Sequence, residues 1–367
     1  MFGRLLVKGA ALTANLVVVF IMVLTLLGTV ISPEVLIFPA YTTLLFPLII
    51  LLNVGFVVFW AFARKWHFLI SLLILFFAAP QIAVTIPMHF GKTKANETQH
   101  GKNIKILTYN TMMSGGLQKH TPESPNQVIQ FILDSDADIV CLQEFAVSPK
   151  DKYLTKQDIL RIFKKYPYKH IWYKQEQDWA KSGVATFSKY PIINKENIAF
   201  KSKYNVSTYT DIVIEKDTIR LFNNHLESNR LTERDRDMPI QLKDNFDTDN
   251  LSGTTMHLSR KLGTAYKTRA RQADQIAALI KKSPHKVMVC GDFNDVPVSY
   301  AYTKIKGDLK DAFAETGFGL GWTLNLSIYR FRIDYILYDQ HLTPDNYKVS
   351  KVKYSDHYPV QCEFYLN

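Results

Sequence analysis

The sequence predicts a two-part chain: a membrane anchor of three transmembrane helices, followed by an α+β domain built on a β-sandwich with helices outside. Three observations predict it. Nearly all the unbroken apolar sequence lies before about residue 90, although the mean hydropathy of the whole chain is only −0.06. Beyond that point, short apolar runs of alternating or β-branched character outnumber helical patterns, and a chain richer in strands than helices packs best as sheet on sheet. Many of these runs also stop on Asn, Asp, Glu or His, the side chains that carry chemistry at strand ends.

No charged residue occurs from Gly9 to Ile31, a length sufficient to cross a hydrocarbon core, which needs about 20 residues. After Ser32-Pro33-Glu34 a second uncharged stretch runs from Val35 to Ala63, and a third from Phe68 to about Met88. A signal peptide would be followed by a cleavage site and polar mature chain, not by two more apolar segments. Pro39, Pro47 and Pro80 predict kinks or ragged ends. Arg4 and Lys8 precede the first segment, Arg64-Lys65 with His67 follow the second, and the intervening loop has no Lys or Arg. The positive-inside rule therefore predicts a cytoplasmic N-terminus, with everything after residue 90 outside the cytoplasm and, in a bacterium, anchored in the inner membrane. The segments lack the intramembrane charge of a transport pathway and read as an anchor. The expected division is anchor 1–90, polar linker 91–103 and catalytic-type domain 104–367. The triplet Asn96-Glu97-Thr98 in the linker matches a glycosylation sequon, a match too common to weigh.

The 367 residues carry a formal charge of +11, of which Arg4, Lys8, Arg64, Lys65 and Glu34 supply +3, leaving +8 on the polar part. That balance suits anionic partners such as nucleic acid, phospholipid headgroups or phosphate esters, with simple solubility as the plain alternative. Cys141, Cys290 and Cys362 are odd in number and irregularly spaced, so they define neither a disulfide framework nor a thiolate metal site.

The polar part opens with the alternating strand Ile104 to Asn110. A helix over Gln127 to Leu133 leads to a buried strand from Ile139 to Glu144. Further strands are expected at 182–188, 212–214 and 218–223, the last delivering Asn224 and His225. Residues 227–267 are charged, poor in core residues and read as a long loop, followed by a helix from Arg269 to Lys281. Val287 to Cys290 then forms a buried strand. It breaks at Gly291, which permits tight backbone geometry, and presents Asp292, Asn294 and Asp295 before Pro297. Asp292 and Asn294, two apart, lie on one side of an extended chain. Helix and turn over 312–321, a strand over 332–338 and a last strand over 360–365 complete the chain.

Strand ends thus supply Asn110, Glu144, His225, Asp292, Asn294, Asp334, Asp356 and His357. Any one has an ordinary explanation: a turn for Asn110, an exposed strand end for Glu144, a core histidine for His225, an ion pair with Arg330 or Arg332 for Asp334. Eight in this order are poorly explained by turn chemistry. The pieces Thr108-Tyr109-Asn110, Leu142-Gln143-Glu144, Asn224-His225-Leu226, Gly291-Asp292-Phe293-Asn294-Asp295, Arg332-Ile333-Asp334-Tyr335-Ile336 and Ser355-Asp356-His357-Tyr358-Pro359 resemble, as a set, the endonuclease/exonuclease/phosphatase superfamily of deoxyribonuclease-I-like phosphoesterases. The resemblance covers roughly residues 103–367 and leaves out the membrane segment.

The resemblance implies a four-layer α/β sandwich with its site at one end of the packed sheets. It also implies hydrolysis of a phosphate ester by water with Mg²⁺, or Mn²⁺, as cofactor. Hard oxygen ligands suit Mg²⁺: Glu144 is the expected metal ligand, with Asn110 and Asp356 completing or orienting the shell. His357 and Asp334 are expected as base and orienter, Asp292 as the group that orients the water, and Asn294 and His225 as holders of the phosphate oxygens, with His225 a possible proton donor. Asp211, Glu227 and Asp295 are plausible supporting residues.

The ester stays open between DNA or RNA, inositol lipids and sphingomyelin. Tethering suits a lipid phosphodiesterase, whereas basic charge suits a nuclease. Over 227–271, Arg230, Arg234, Arg236, Lys243, Arg260, Lys261, Lys267, Arg269 and Arg271 are interleaved with acids, which weakens the case for a nucleic-acid groove. Tyr300, Tyr302, Phe313, Phe318, Trp322 and Tyr329 form either core or a headgroup wall. An inactive binding module would show loss of a key group, and none is missing. The sequence indicates no obligate protein partner.

Overall fold

The computed structural model describes residues 2–89, 102–229, 248–326 and 330–366. The expected linker lies outside them except for its last two residues, as do Tyr329 and the basic residues from Arg230 to Lys243. The chain divides into two compact units, one of 1–80 with 227–274 and 298–304, the other of 81–226 with 275–297 and 305–367.

In the first unit the helices Phe2–Leu27, Phe46–Phe62 and Phe68–Phe77 pack on one another. Two stretches, Val7–Leu27 and Phe38–Phe62, are long and apolar enough to cross a membrane; Phe68–Phe77 with Ala79–Thr85 makes a third if the bent pair is one span. Pro39 and Pro47 sit in the first turn of their helices, where no N–H bond is lost, and Pro80 follows the break in the bent pair. Asn15 locks the three helices together, donating to Ser71 Oγ at 2.6 Å and accepting from Trp60 Nε1 at 3.0 Å.

The expected charged loop is largely helix from residue 248 onward: a single helix spans Thr248–Lys281. Its buried residues Ala265, Tyr266, Arg269, Ala270, Ala273 and Ile276 recur every three or four positions. The stripe is narrow and includes a buried arginine, so composition alone reads as loop. Within this unit Tyr41 Oη donates to the Ser259 carbonyl at 2.8 Å, Tyr41 and Tyr266 meet edge to face, and Arg271 Nη1 lies 2.5 Å from Glu34 Oε1.

The second unit holds two six-stranded sheets. The first contains β1 (Asn103–Asn110), β2 (Ile139–Val147), β3 (Tyr168–Glu176), β4 (Lys181–Ser188), β11 (Leu342–Val349) and β12 (Val360–Leu366), in the order β11-β12-β1-β2-β4-β3. The second contains β5 (Ile192–Ile198), β6 (Val206–Ile214), β7 (Asp217–His225), β8 (Lys286–Asp292), β9 (Lys310–Asp311) and β10 (Asp334–Tyr338), in the order β5-β6-β7-β8-β10-β9. Each sheet has one parallel pair at its centre, β1 with β2 and β7 with β8, so the C-terminal ends of those strands open at one edge. Period-two alternation sorts the side chains. Ile104, Ile106, Ile139 and Cys141 meet Ile219, Leu221, Met288 and Cys290 between the sheets. Leu107, Tyr109, Val140 and Leu142 face helices Gln127–Asp134 and Lys156–Ile162 on the outside. The result is the expected sandwich of sheets between helices. The three cysteines are free and buried in the inter-sheet core.

Arg332 sits 3% exposed between the Phe313 and Tyr335 rings, bonded to Asp311 Oδ2 at 2.7 Å and donating to the Val84 carbonyl at 2.9 Å. Residues 84–89 are thus part of the second unit, and His89 N–H adds a bond to the Gly317 carbonyl. Arg332→Gln removes the guanidinium from a buried carboxylate, a change that costs about 3–5 kcal/mol. The full-length variant is expected to melt well below the unaltered chain in a thermal scan; an unchanged midpoint would contradict this account.

Candidate active site

Register brings the polar strand ends together. Across the second sheet His225 lies opposite Asp292, and Asp292 opposite Asp334, so three side chains share one rung. In the first sheet Asn110 ends β1 opposite Gln143. Asn110 joins the two edges: its Nδ2 donates to Asp292 Oδ2 at 3.0 Å and lies 3.4 Å from Glu144 Oε1.

Glu144 reaches this edge through a β-bulge. Along β2, Val140 and Leu142 face the outer helices, and strict alternation would send residue 144 after them. The register with β4 shifts between Leu142 and Phe145, setting two residues against one. Glu144 takes φ +48°, and Phe145 and Val147 return to the outer face. Asn294 is also left-handed, at φ +52°. The chain therefore does not run straight past Asp292. Instead Asp292 Oδ1 accepts the Asn294 backbone N–H at 2.7 Å, and the Asn294 amide reaches Asp292 Oδ2 and the Leu226 carbonyl. The two residues share a side because of this turn, not because of an extended strand.

His357 Nδ1 and Asp334 Oδ2 lie 2.9 Å apart, both buried, and His357 Nε2 is 3.8 Å from Asp292 Oδ2. Asp334 therefore pairs with the histidine, while Arg332 goes to Asp311. His225 Nε2 stands 3.8 Å from both Glu144 Oε1 and Asp292 Oδ2. Burial works against the charged imidazolium of His357, but Asp334 and Asp292 outweigh it and raise its pKa to about 10. Burial, with the Asp334 charge, raises Asp292 to about 6 against the pull of both histidines. Burial and the Asp356 charge push Glu144 above the usual carboxylate range.

Two acid groupings result. Asp292, Asp334 and His357 have ligand-type atoms all within 4.8 Å of one another. Glu144, Asp356 and Asn110 form a second, oxygen-rich set in which one carboxylate raises the other's pKa, the electrostatic condition a cation relieves. Of the supporting candidates, Asp211 holds Arg220 through two bonds five residues down β6, the Asp295 carboxylate accepts the Val296 N–H, and the Glu227 carbonyl accepts from Arg269 Nη1. Of the aromatic residues, Tyr302 and Phe313 are core, whereas Phe318 and Trp322 are exposed.

Sequence reasoning missed the supports. Gln143 Nε2 donates to Asn223 Oδ1 at 2.7 Å, and the Asn223 amide donates to the Ala185 carbonyl, so a buried amide pair ties the two sheets directly beneath Glu144 and His225. Thr323 Oγ1 accepts the N–H groups of Ile333 and Asp334, and its carbonyl accepts the Tyr358 N–H at 2.6 Å, clamping the backbones of Asp334 and His357 together. Amides inside the apolar β2 and β7 runs were the available signal. Thr323 left none, because its partners are distant in sequence.

The family model described as endonuclease/exonuclease/phosphatase family matches residues 107–357. The chain belongs to this family. A second model, a domain of unknown function, matches residues 5–85. No curated protein matches the chain. Among solved structures, an endonuclease/exonuclease/phosphatase from Bacteroides vulgatus is 16% identical, with 72% of this chain and 100% of that one covered and a TM-score of 0.49. A family protein from Beutenbergia cavernae is 14% identical, covering 72% of each chain at 0.48. The human nocturnin catalytic domain is 16% identical, covering 72% of this chain and 95% of that one at 0.47. Family members are phosphoester hydrolases that generally use a divalent metal.

Proposed function

We propose that this protein is a membrane-anchored, Mg²⁺-dependent phosphoesterase. The observation that carries the reading is the rung His225–Asp292–Asp334, with His357 paired to Asp334, set against the acids Glu144 and Asp356. Glu144, Asn110 and Asp356 suit Mg²⁺, which favours hard oxygen ligands and retains waters; the other grouping includes an imidazole already bonded to Asp334, which suits Mg²⁺ less well. When bound, the ion would neutralise phosphate charge and stabilise the leaving oxygen. Asp334 orients His357 through Nδ1, leaving Nε2 toward Asp292 as the position where a proton from water is taken. Asp292 accepts from Asn110 and Asn294 and so is held to orient that water. His225 is assigned to hold a non-bridging phosphate oxygen and to give a proton. Both donors of the Asn294 amide are taken by Asp292 Oδ2 and the Leu226 carbonyl, so Asn294 supports Asp292 in this arrangement. All the key groups are present, which argues against an inactive binding module.

The basic residues support the topology: Arg4 and Lys8 precede the first apolar helix, and Arg64 and Lys65 follow the second. The positive-inside rule therefore gives a cytoplasmic N-terminus and, with the bent pair over 68–85 as one span, a domain outside the cytoplasm.

The test is hydrolysis by the full-length chain in proteoliposomes with Mg²⁺, offering plasmid DNA in one arm and phospholipid or sphingolipid vesicles in the other. EDTA-sensitive cutting of plasmid identifies a nuclease, and release of a phosphorylated headgroup identifies a lipid phosphodiesterase. Metal binding without turnover of any phosphate ester would refute the enzymatic reading.

A further inference from the structure

The β2 bulge that delivers Glu144 leaves backbone groups out of the ladder, and the residues that receive them come from one unusual turn. One residue beyond Asn110, after Thr111, the residues Met112, Met113, Ser114, Gly115, Gly116 and Leu117 all have positive φ, from +44° to +69°. Four of the six carry a side chain, and left-handed backbone is sterically penalised for such residues and rarely runs beyond one. A left-handed turn of this length persists only if its surroundings over-determine it, and such strain collects at functional sites. Gly115 is required: a Cβ there would lie 2.8 Å from Asn126 Oδ1.

What holds the turn is the bulge itself. Thr111, fully buried, donates its backbone N–H to the Gln143 carbonyl at 2.9 Å, and its hydroxyl lies 3.1 Å from both the Gln143 and the Glu144 carbonyls. The same hydroxyl accepts the Ser114 N–H at 3.2 Å. Ser114 Oγ accepts the Ala146 N–H at 2.8 Å, and the Ser114 carbonyl accepts the Asn126 amide at 2.9 Å. Backbone groups at 143, 144 and 146, around the bulge, thus meet two hydroxyls at the start of the turn. On its other side Met112 N–H donates to Asn110 Oδ1 at 3.2 Å, so the turn touches both Asn110 and the backbone of Glu144.

We propose that Thr111 and Ser114 are positioning residues that set Glu144 and Asn110 into a metal-binding arrangement. The proposal rests on the metal-dependent reading above. Without the two hydroxyls the strained turn keeps only the backbone bond from Thr111 N–H to the Gln143 carbonyl and loses its side-chain bonds to β2. The bulge then relaxes toward ordinary alternation, and Glu144 turns toward the outer face with Leu142.

The experiment compares Thr111→Val, Thr111→Ser and Ser114→Ala in the full-length chain. It measures Mn²⁺ binding by electron paramagnetic resonance without substrate, kcat and KM, and the thermal midpoint. Supporting groups of this kind alter metal affinity by about 10- to 100-fold. Thr111→Val and Ser114→Ala are each expected to weaken Mn²⁺ binding within that range and to lower kcat, with KM nearly unchanged and the thermal midpoint little moved. Thr111→Ser, which keeps the hydroxyl, is expected to restore binding to within about threefold of the original. Unchanged Mn²⁺ affinity in both hydroxyl-deleted variants overturns the proposal, as does a loss that follows the thermal midpoint and is not restored by serine. An unaltered chain that neither binds Mn²⁺ nor hydrolyses any phosphate ester would instead remove the reading on which the proposal stands.

Discussion

His357→Ala is expected to lower kcat by about 10²- to 10⁴-fold, the usual contribution of a positioned acid–base group, while Mn²⁺ binding to the full-length chain stays close to the original. The separation follows from the two groupings at the sheet edge: His357 is bonded to Asp334, and the oxygen set around Glu144 does not include its ring. Asp334→Asn tests the pair more sharply. Its carboxylate is the foremost influence raising the His357 pKa, so its neutralisation makes the imidazole lose its proton at lower pH. If the free imidazole takes the proton from water, the rising limb of the kcat–pH profile moves to lower pH in Asp334→Asn. At the same time the plateau falls, because Nδ1 is no longer held by a carboxylate. A limb that stays in place or moves to higher pH would show that His357 is not the group that titrates in turnover. Wild-type rates in His357→Ala would remove it from the chemistry altogether.

Gly291→Ala is expected to be damaging out of proportion to one methyl group. Gly291 has φ +129°, and a Cβ there would lie 2.0 Å from the Asn224 carbonyl oxygen and 2.8 Å from its nitrogen. Backbone atoms cannot swing aside as a side-chain tip can, so β7 and β8 must separate. Overpacking of about 1–3 kcal/mol and backbone strain of about 1–3 kcal/mol together cost about 2–6 kcal/mol. In a domain of this size that is a fall of about 5–20 °C in the thermal midpoint. The clash is one rung from the His225–Asp292 pair, so the fraction that still folds should also have lost most of its activity. A variant that melts within about 2 °C of the original and keeps its rate would mean that the strands separate easily here. The role assigned to Gly291 would then be wrong.

Much of this molecule was legible because its signals are local. Uncharged runs of more than twenty residues mark the apolar helices wherever they pack. Period-two alternation assigns Ile104 and Ile106 to one face and Leu107 and Tyr109 to the other before any sheet is known. Polar residues that end apolar runs gave Asn110, Glu144, His225, Asp292, Asp334 and His357 as residues that could meet, since a strand end is a position readable along the chain. Charge and composition misled over 248–268, where a helix with a narrow buried stripe looks like loop until its partners Tyr41 and Glu34 are in place.

Tertiary structure alone decided which groups face each other. Asp311 and Asp334 with Arg330 and Arg332 allow several ion pairs on paper, and only the register of β8, β10 and β9 sends Asp334 to His357 and Arg332 to Asp311. The bulge that turns Glu144 inward exists because Thr111 and Ser114, more than thirty residues earlier in the chain, receive the backbone groups it frees. Residue types and strand ends follow from local sterics and hydropathy, which act between near neighbours. Pairings, bulges and pKa values arise from contacts between distant segments, and these form only when both sheets have closed on their common core.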